Sequence, residues 1–240
     1  MSDSTSAPAK APGLYDSKSS STPQKILMQA LSWAAVAAAC YALVGGGMAR
    51  LAGALGARWA PGSEPRAWLL VACSTVYALR LVVTQFVLIQ RTMPWSEAAT
   101  ISAWLWVIHG TFVYFGGRNA AAPGAVAWVG LALYAFGSYL NTGSELMRHR
   151  WKKRPESKGR LYTEGLFKHS MHINYFGDFV LFTGFAMVAG SPWAFAIPLT
   201  MAGMFVFLNI PMLDAYLADR YGAQFTEYAS KTSKFIPYVY

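Results

Sequence analysis

Within an otherwise apolar stretch, Tyr77, Arg80 and Thr84 recur at i, i+3 and i+7, so a helix sets them on one face. A phenol there can donate a proton or hydrogen bond to a substrate oxygen, and a guanidinium can hold an anion such as a diphosphate. The plain alternative is an arginine that braces the bundle through a carboxylate, with Tyr77 as packing. His109 shares a face with Ser102 and Trp106; without a second histidine nearby it reads as packing or a helix–helix hydrogen bond, not as a metal ligand. Asn141, Glu145 and Arg148 repeat at i, i+4 and i+7. A donor, a carboxylate and a guanidinium on one stripe suit a ribose-phosphate ligand, whereas a helix end snorkelling into headgroups accounts for Arg148 but not for Asn141.

The densest polar segment runs from Gly159 to Asp178 and holds Arg160, Lys168, His169, His172, Asn174, Tyr175 and Asp178. Asn174 and Asp178 fall at i, i+4 in the early turns of a predicted helix, whose free N–H groups favour phosphate or developing negative charge. Asp178 repels such an anion but accepts from ribose hydroxyls or a carboxamide. His169 and His172 lack a metal-ligand set, so no metal is expected. Asp214 then opens a tail that is amphipathic over residues 217–240, with Arg220 and Tyr228 prominent among its aromatic neighbours. Such a tail either lies on the bilayer surface or folds under the bundle and closes a cavity.

The elements that carry these groups are set by where charge is missing. No Asp, Glu, Lys, Arg or His occurs from Ile26 to Ala49, from Asn119 to Ser144 or from Phe179 to Leu213. A helix needs about 20 mainly apolar residues to cross a bilayer, and Gly190-Ser191-Pro192 divides the last stretch in two. Two weaker segments, interrupted by Arg80 and by His109, complete a pattern of spans near 26–49, 67–90, 98–117, 124–147, 172–190 and 193–213. The expected fold is all-α: a polytopic membrane bundle of about six helices, with room for a seventh. The period-two alternation of a membrane barrel is absent.

Composition agrees. Of 240 residues, 55% are hydrophobic and only 13% charged, against about 25% charged in a soluble domain. Residues 1–23, rich in Ser, Ala and Pro, read as a disordered tail and not a signal peptide, which leaves 24–240 as a single transmembrane domain. Eight Lys and Arg residues against Glu156 and Glu164 place the 148–168 loop in the cytoplasm. Six spans put both termini there, with 214–240 as a cytoplasmic tail, in a membrane expected to be bacterial. Phosphate headgroups account for the basic loop without nucleic acid. Cys40 and Cys73 have no disulfide or metal-site spacing.

Three blocks, in order, carry a resemblance. Asn141-Thr142-Gly143-Ser144-Glu145-Leu146-Met147-Arg148 is similar to a sterol-reductase stretch that begins with Asn and ends with Arg. Met171-His172-Ile173-Asn174-Tyr175-Phe176-Gly177-Asp178 matches the same enzymes' Arg-His-x-Asn-Tyr-x-Gly-Asp, apart from Met171. Arg220-Tyr221-Gly222, Phe225, Tyr228 and Pro237-Tyr238-Val239-Tyr240 resemble their C-terminal pattern. Tyr77-Ala78-Leu79-Arg80 is similar to the Tyr-x-His-Arg of steroid 5-alpha-reductases, although the first span has no acidic residue to match their glutamate. The sequence thus resembles the membrane sterol reductase and steroid 5-alpha-reductase superfamily, over about 77–240.

That resemblance implies NADPH-dependent reduction of a carbon–carbon double bond in a steroid-like or other hydrophobic enone entering from the bilayer, by a monomer. It implies Tyr77, Arg80 and Asp178 as catalytic. Asn141, Glu145, Arg148, Arg160, Lys168, His169, His172, Asn174, Tyr175, Asp178, Asp214, Arg220 and Tyr228 would hold the cofactor. An unactivated olefin needs protonation first, which suits a phenol of pKa about 10 poorly, so a conjugated carbonyl is the expected substrate. The related alternative is an S-adenosylmethionine-dependent methyltransferase of the isoprenylcysteine or phospholipid type. The second alternative is a non-catalytic lipid or nucleotide binder.

Overall fold

The computed structural model of the chain describes residues 19–240; residues 1–18 of the expected tail lie outside it. The chain runs through α1 (Thr22–Leu43), α2 (Gly47–Ala54), α3 (Glu64–Val83), α4 (Trp95–Gly116), α5 (Ala125–Ser138), α6 (Ser144–Lys152), α7 (Ile173–Ala189), α8 (Ala196–Met204), α9 (Ile210–Tyr221) and α10 (Ala223–Lys231). There is no β-strand among the described residues. Four helical stretches are long and apolar enough to cross a membrane: Thr22–Leu43, Glu64–Leu88, Trp95–Gly116 and Pro192–Tyr221. Apolar side chains such as Trp128, Trp193, Leu199 and Phe207 stand exposed on the outside of the bundle, as a lipid-facing surface requires. The protein is a helical membrane protein.

The six-span pattern is therefore met in part, and the differences have local causes. The first predicted span stops at Leu43, because Gly45-Gly46-Gly47 follows and Gly46 turns at φ 75°. α1 begins at Thr22, two residues inside the stretch read as tail, with Pro23 in its first turn where no N–H is needed. The fourth expected span is continuous helix from Ala125 to Lys152, but its apolar part ends at the polar Asn141-Thr142 pair. α7 has 17 residues, short of the about 20 that a span requires. The sixth continues beyond residue 213 to Tyr221; a π turn over Phe205–Asn209 precedes Pro211 and absorbs the hydrogen bond that this proline cannot make.

The core is aromatic. Phe112 of α4 stacks on Phe185 of α7 with ring centroids 4.0 Å apart, and Leu70, Tyr134, Leu181 and Phe182 close around them. α5 and α7 approach more closely than ordinary side chains permit, because glycines face each other at two levels. A methyl group on Gly130 would lie 2.7 Å from Gly184 O, and one on Gly137 would lie 2.5 Å from Gly177 O. Small residues that let two backbones touch are a membrane helix-packing device. Gly177 stands between Asn174 and Asp178 and rests on the backbone of Asn141, so this crossing decides which polar residues meet.

At the end remote from the 148–168 loop, Arg66 of α3 is buried. Its Nη1 donates to Val188 O at 2.5 Å and its Nη2 to Ala121 O at 3.0 Å. A cation on the last carbonyls of α7 is favourable there, since those groups have no intrahelical partner.

Candidate functional site

Arg80 sits where α3, the π turn Tyr139–Gly143 and α7 converge. Its Nε donates to Thr142 Oγ1 at 2.9 Å, its Nη2 donates to Asn141 Oδ1 at 2.7 Å, and the same Nη2 lies 3.6 Å from Asp178 Oδ1. The π turn places Asn141 and Thr142 where one guanidinium reaches both; such turns within helices are frequent at functional sites. The remaining nitrogen, Nη1, is buried with no partner among the described residues. The guanidinium carbon lies 5.7 Å from the centre of the Tyr77 ring. That ring packs edge-on to Phe182 at 5.2 Å and tilts against His109 at 6.4 Å. The Tyr77 hydroxyl has no hydrogen-bond partner among the described residues.

From Arg80 a chain of polar contacts runs toward the basic end. Asn141 Nδ2 donates to Asn174 O at 3.0 Å, and Asn174 Nδ2 donates to Glu145 Oε1 at 2.9 Å. Arg148 pairs with the other oxygen of Glu145 and lies over the Phe167 ring at 5.4 Å. Glu145 is nearly buried, at 15% side-chain exposure, while Arg148 keeps 34%; the stripe thus passes from interior to surface along α6. Trp151, Tyr162, Phe167 and Ile173 form the apolar floor beneath it. Tyr228 of α10 donates to Phe167 O at 2.6 Å, and burial holds its phenol above the ordinary tyrosine range, hence neutral.

A second cluster lies at the start of α7. His172 is 1% exposed; its Nε2 donates to Asp214 Oδ1 at 2.9 Å, and Lys234 Nζ lies 3.6 Å from Asp214 Oδ2. The imidazole stacks on Tyr175 at 5.6 Å, and Tyr175 stacks on Phe205 at 4.7 Å. The C-terminal segment straps this cluster in place. Met171 N donates to Ser233 O at 2.8 Å, His172 N to Lys234 O at 3.0 Å and Ser170 Oγ to Phe235 O at 2.9 Å. Phe235 is buried against Phe176 and Phe205, and Tyr238 is hydrogen-bonded to Nδ1 of His169. Of the two dispositions open to the tail, it takes the one under the bundle.

The structure therefore gathers Tyr77, Arg80, Asn141, Asp178, Asn174, Glu145 and Arg148 into one connected network, and His172, Tyr175 and Asp214 into another joined to it through α7. His169 and Tyr228 serve as anchors for the tail and α10. Arg160 and Lys168 stand on the surface, and the exposed Arg220 reaches one turn back to donate to Tyr216 at 2.6 Å. Arg80 is held by three acceptors, which fits the bracing role better than that of a free diphosphate ligand. Thr142, Ser170 and Lys234 carry contacts that spacing did not single out. Thr142 had a signal, its place beside Asn141; Lys234 had none, because it follows α10 in a non-helical segment while its partner Asp214 lies on α9.

Fold and network together define a helical membrane protein with a chain of interior polar contacts that runs toward its basic end. The chain belongs to the DUF1295 family, described as a protein family of unknown function, whose match covers residues 99–232. The match begins within α4 and leaves Tyr77 and Arg80 outside it. Over 107 residues the chain is also 32% identical to a probable O-methyltransferase, ustE, of Ustilaginoidea virens, a match covering 44% of this chain and 37% of that protein. The chain thus aligns to little more than a third of that relative's length.

Proposed function

We propose that the protein transfers hydride from NADPH to the carbon–carbon double bond of a hydrophobic, conjugated carbonyl compound. The observation that carries this reading is a pair of donors in the bundle interior that have no hydrogen-bond partner among the described residues: the Tyr77 hydroxyl, and the buried Arg80 Nη1 on the same face of α3. Donors fixed before reaction, in a site of low dielectric, stabilise an oxygen that gains charge far better than water does. Asn141, Thr142 and Asp178 hold the guanidinium still. Tyr77 then donates to the carbonyl oxygen as the enolate forms, and Arg80 offsets its charge.

The residues toward the basic end suit a dinucleotide. Arg148 and the surface Lys168 and Arg160 offer cations for phosphates, Glu145 and Asp214 accept from ribose hydroxyls, and Asn174 offers an amide for the nicotinamide, while Tyr175, stacked between His172 and Phe205, holds the start of α7 in place. NADPH bound there supplies the hydride. A second reading, methyl transfer from S-adenosylmethionine, is favoured by the similarity to a probable O-methyltransferase.

The test is isotopic. Full-length protein in nanodiscs, given NADPH deuterated at the nicotinamide C4 and a panel of lipophilic enones, is expected to place deuterium on the β carbon. Methyl incorporation from S-adenosylmethionine without NADPH oxidation would overturn the redox reading in favour of the second.

A further inference from the structure

At the end remote from the 148–168 loop, the charged side chains of segments 44–66, 117–124 and 190–195 are Arg50, Arg58, Arg66 and Arg118 against Glu64. Arg66 is committed to backbone carbonyls, and Arg50 donates to the Tyr41 hydroxyl at 2.9 Å. Arg118 is held differently. Its guanidinium carbon lies 5.4 Å from the centre of the Trp59 ring and 5.3 Å from that of Tyr114, and its Nη1 donates to the Tyr114 hydroxyl at 2.8 Å. Two rings and a hydrogen bond fix the group in place, yet no carboxylate among the described residues neutralises it. A guanidinium set in this way is a ready fork for an anionic oxygen pair.

Arg118 lines a cavity of about 440 Å³ together with Tyr114, Asn119, Gly190 and Ser191. An adjoining cavity of about 390 Å³ shares Asn119 and Gly190-Ser191-Pro192, but its other walls are mainly apolar: Val126, Ala127, Met187 and Phe195. Arg66 borders this second cavity with its N–H groups already taken by the carbonyls of Val188, Ala121 and Ala122. Asn119 fixes the partition between the two. Its Nδ2 donates to Gly190 O at 2.8 Å, and its Oδ1 accepts from Ala121 N at 3.0 Å. Gly190, at φ 67°, leaves the room for this contact, since a methyl group there would lie 2.5 Å from Asn119 Nδ2. Both volumes fall within the range of about 300–1,000 Å³ usual for small-molecule sites.

A cationic, polar cavity joined to an apolar one fits a molecule with an anionic head and a hydrocarbon tail. The exposed Trp193 and Val126 flank the pair, and tryptophan marks the level of lipid headgroups. We propose that this end of the bundle binds a lipid whose phosphate gives it net negative charge, with the phosphate on Arg118 and the start of a chain against Val126 and Phe195. The head cavity exceeds what a bare carboxylate occupies, and the Ser191 hydroxyl offers a second donor to a further phosphate oxygen. The site lies at the opposite end of α7 from His172 and Asn174, so the inference does not rest on hydride transfer.

The experiment gives full-length protein in phosphatidylcholine nanodiscs a phosphatidylglycerol that bears a diazirine at the start of one acyl chain. Adducts are mapped by peptide mass spectrometry. Labelling of Val126, Met187 or Phe195 is expected, at about ten times the level given by the same diazirine on phosphatidylcholine or on a free fatty acid. Arg118→Gln should abolish that preference without moving the melting temperature, because the side chain is exposed. Lys158→Gln, on the basic loop, should leave the preference intact. Excess glycerol phosphate should not compete; full displacement by it would assign the site to soluble phosphate esters and overturn the lipid. Equal labelling by all probes, no adducts on those residues, or a preference retained in Arg118→Gln would likewise overturn the proposal.

Discussion

Removing the Tyr77 hydroxyl and removing the carboxylate of Asp178 should have different consequences, because only the first leaves the framework untouched. Tyr77→Phe keeps the contacts with Phe182 and His109 and should lower kcat by about a hundredfold with little change in KM, the signature of an interaction made in the transition state. Equal kcat for the two proteins would take Tyr77 out of the chemistry. Asp178→Asn leaves the largely buried Arg80 charge without its carboxylate and should destabilise the protein by about 3 kcal/mol, read from denaturation. The fully exposed Glu227–Lys231 pair of α10 is the control: Glu227→Ala should not move the melting temperature measurably. Much of the network was legible at this scale because Asn141, Glu145, Asn174 and Asp178 are polar groups in apolar surroundings. Which acceptors close on Arg80 was not, since helical spacing orders residues within a helix and says nothing of the helix opposite.

Between elements, the α5–α7 crossing is the feature on which the site's geometry depends. Gly137→Leu would drive a side chain into Gly177 O and the backbone of Leu181, forcing the helices apart and moving Asn141 away from Asn174. A fall in stability of about 2–3 kcal/mol is expected, accompanied by loss of ligand binding. Gly203 of α8 meets nothing within 4 Å at its Cβ position, so Gly203→Ala should stabilise by up to about 1 kcal/mol. If both substitutions change stability alike, close packing is not what selects glycine at 137. The apolar runs made most helices legible in the sequence, and Gly45-Gly46-Gly47 could have shown where the first one stops. The pairing of Gly130 and Gly137 with Gly184 and Gly177 was not legible, because glycine in a membrane helix marks a close approach without naming the partner. The π turns were equally hidden, as Tyr139–Gly143 resembles any other helical stretch until Arg80 pulls on it.

Across the whole molecule, the C-terminal segment joins the two polar clusters to the bundle's underside. Deleting residues 233–240 removes Phe235 from its aromatic pocket and the carbonyls that receive Met171 N, His172 N and Ser170 Oγ. The His172–Asp214 pair should then loosen, and ligand affinity should fall more than tenfold while the bundle remains folded. The tail's destination was open in the sequence: an aromatic, amphipathic segment suits a bilayer surface as well as a protein underside, and only the backbone pairing with 170–172 decides between them. The central claim, that the basic end of the network, Asn174, Glu145 and Arg148, serves a dinucleotide, meets its most direct test in mass spectrometry of the small molecule retained by gently purified full-length protein. NADP(H) in near-stoichiometric amount, lost on Arg148→Ala, is the result expected; S-adenosylmethionine or its demethylated product in its place would contradict the account.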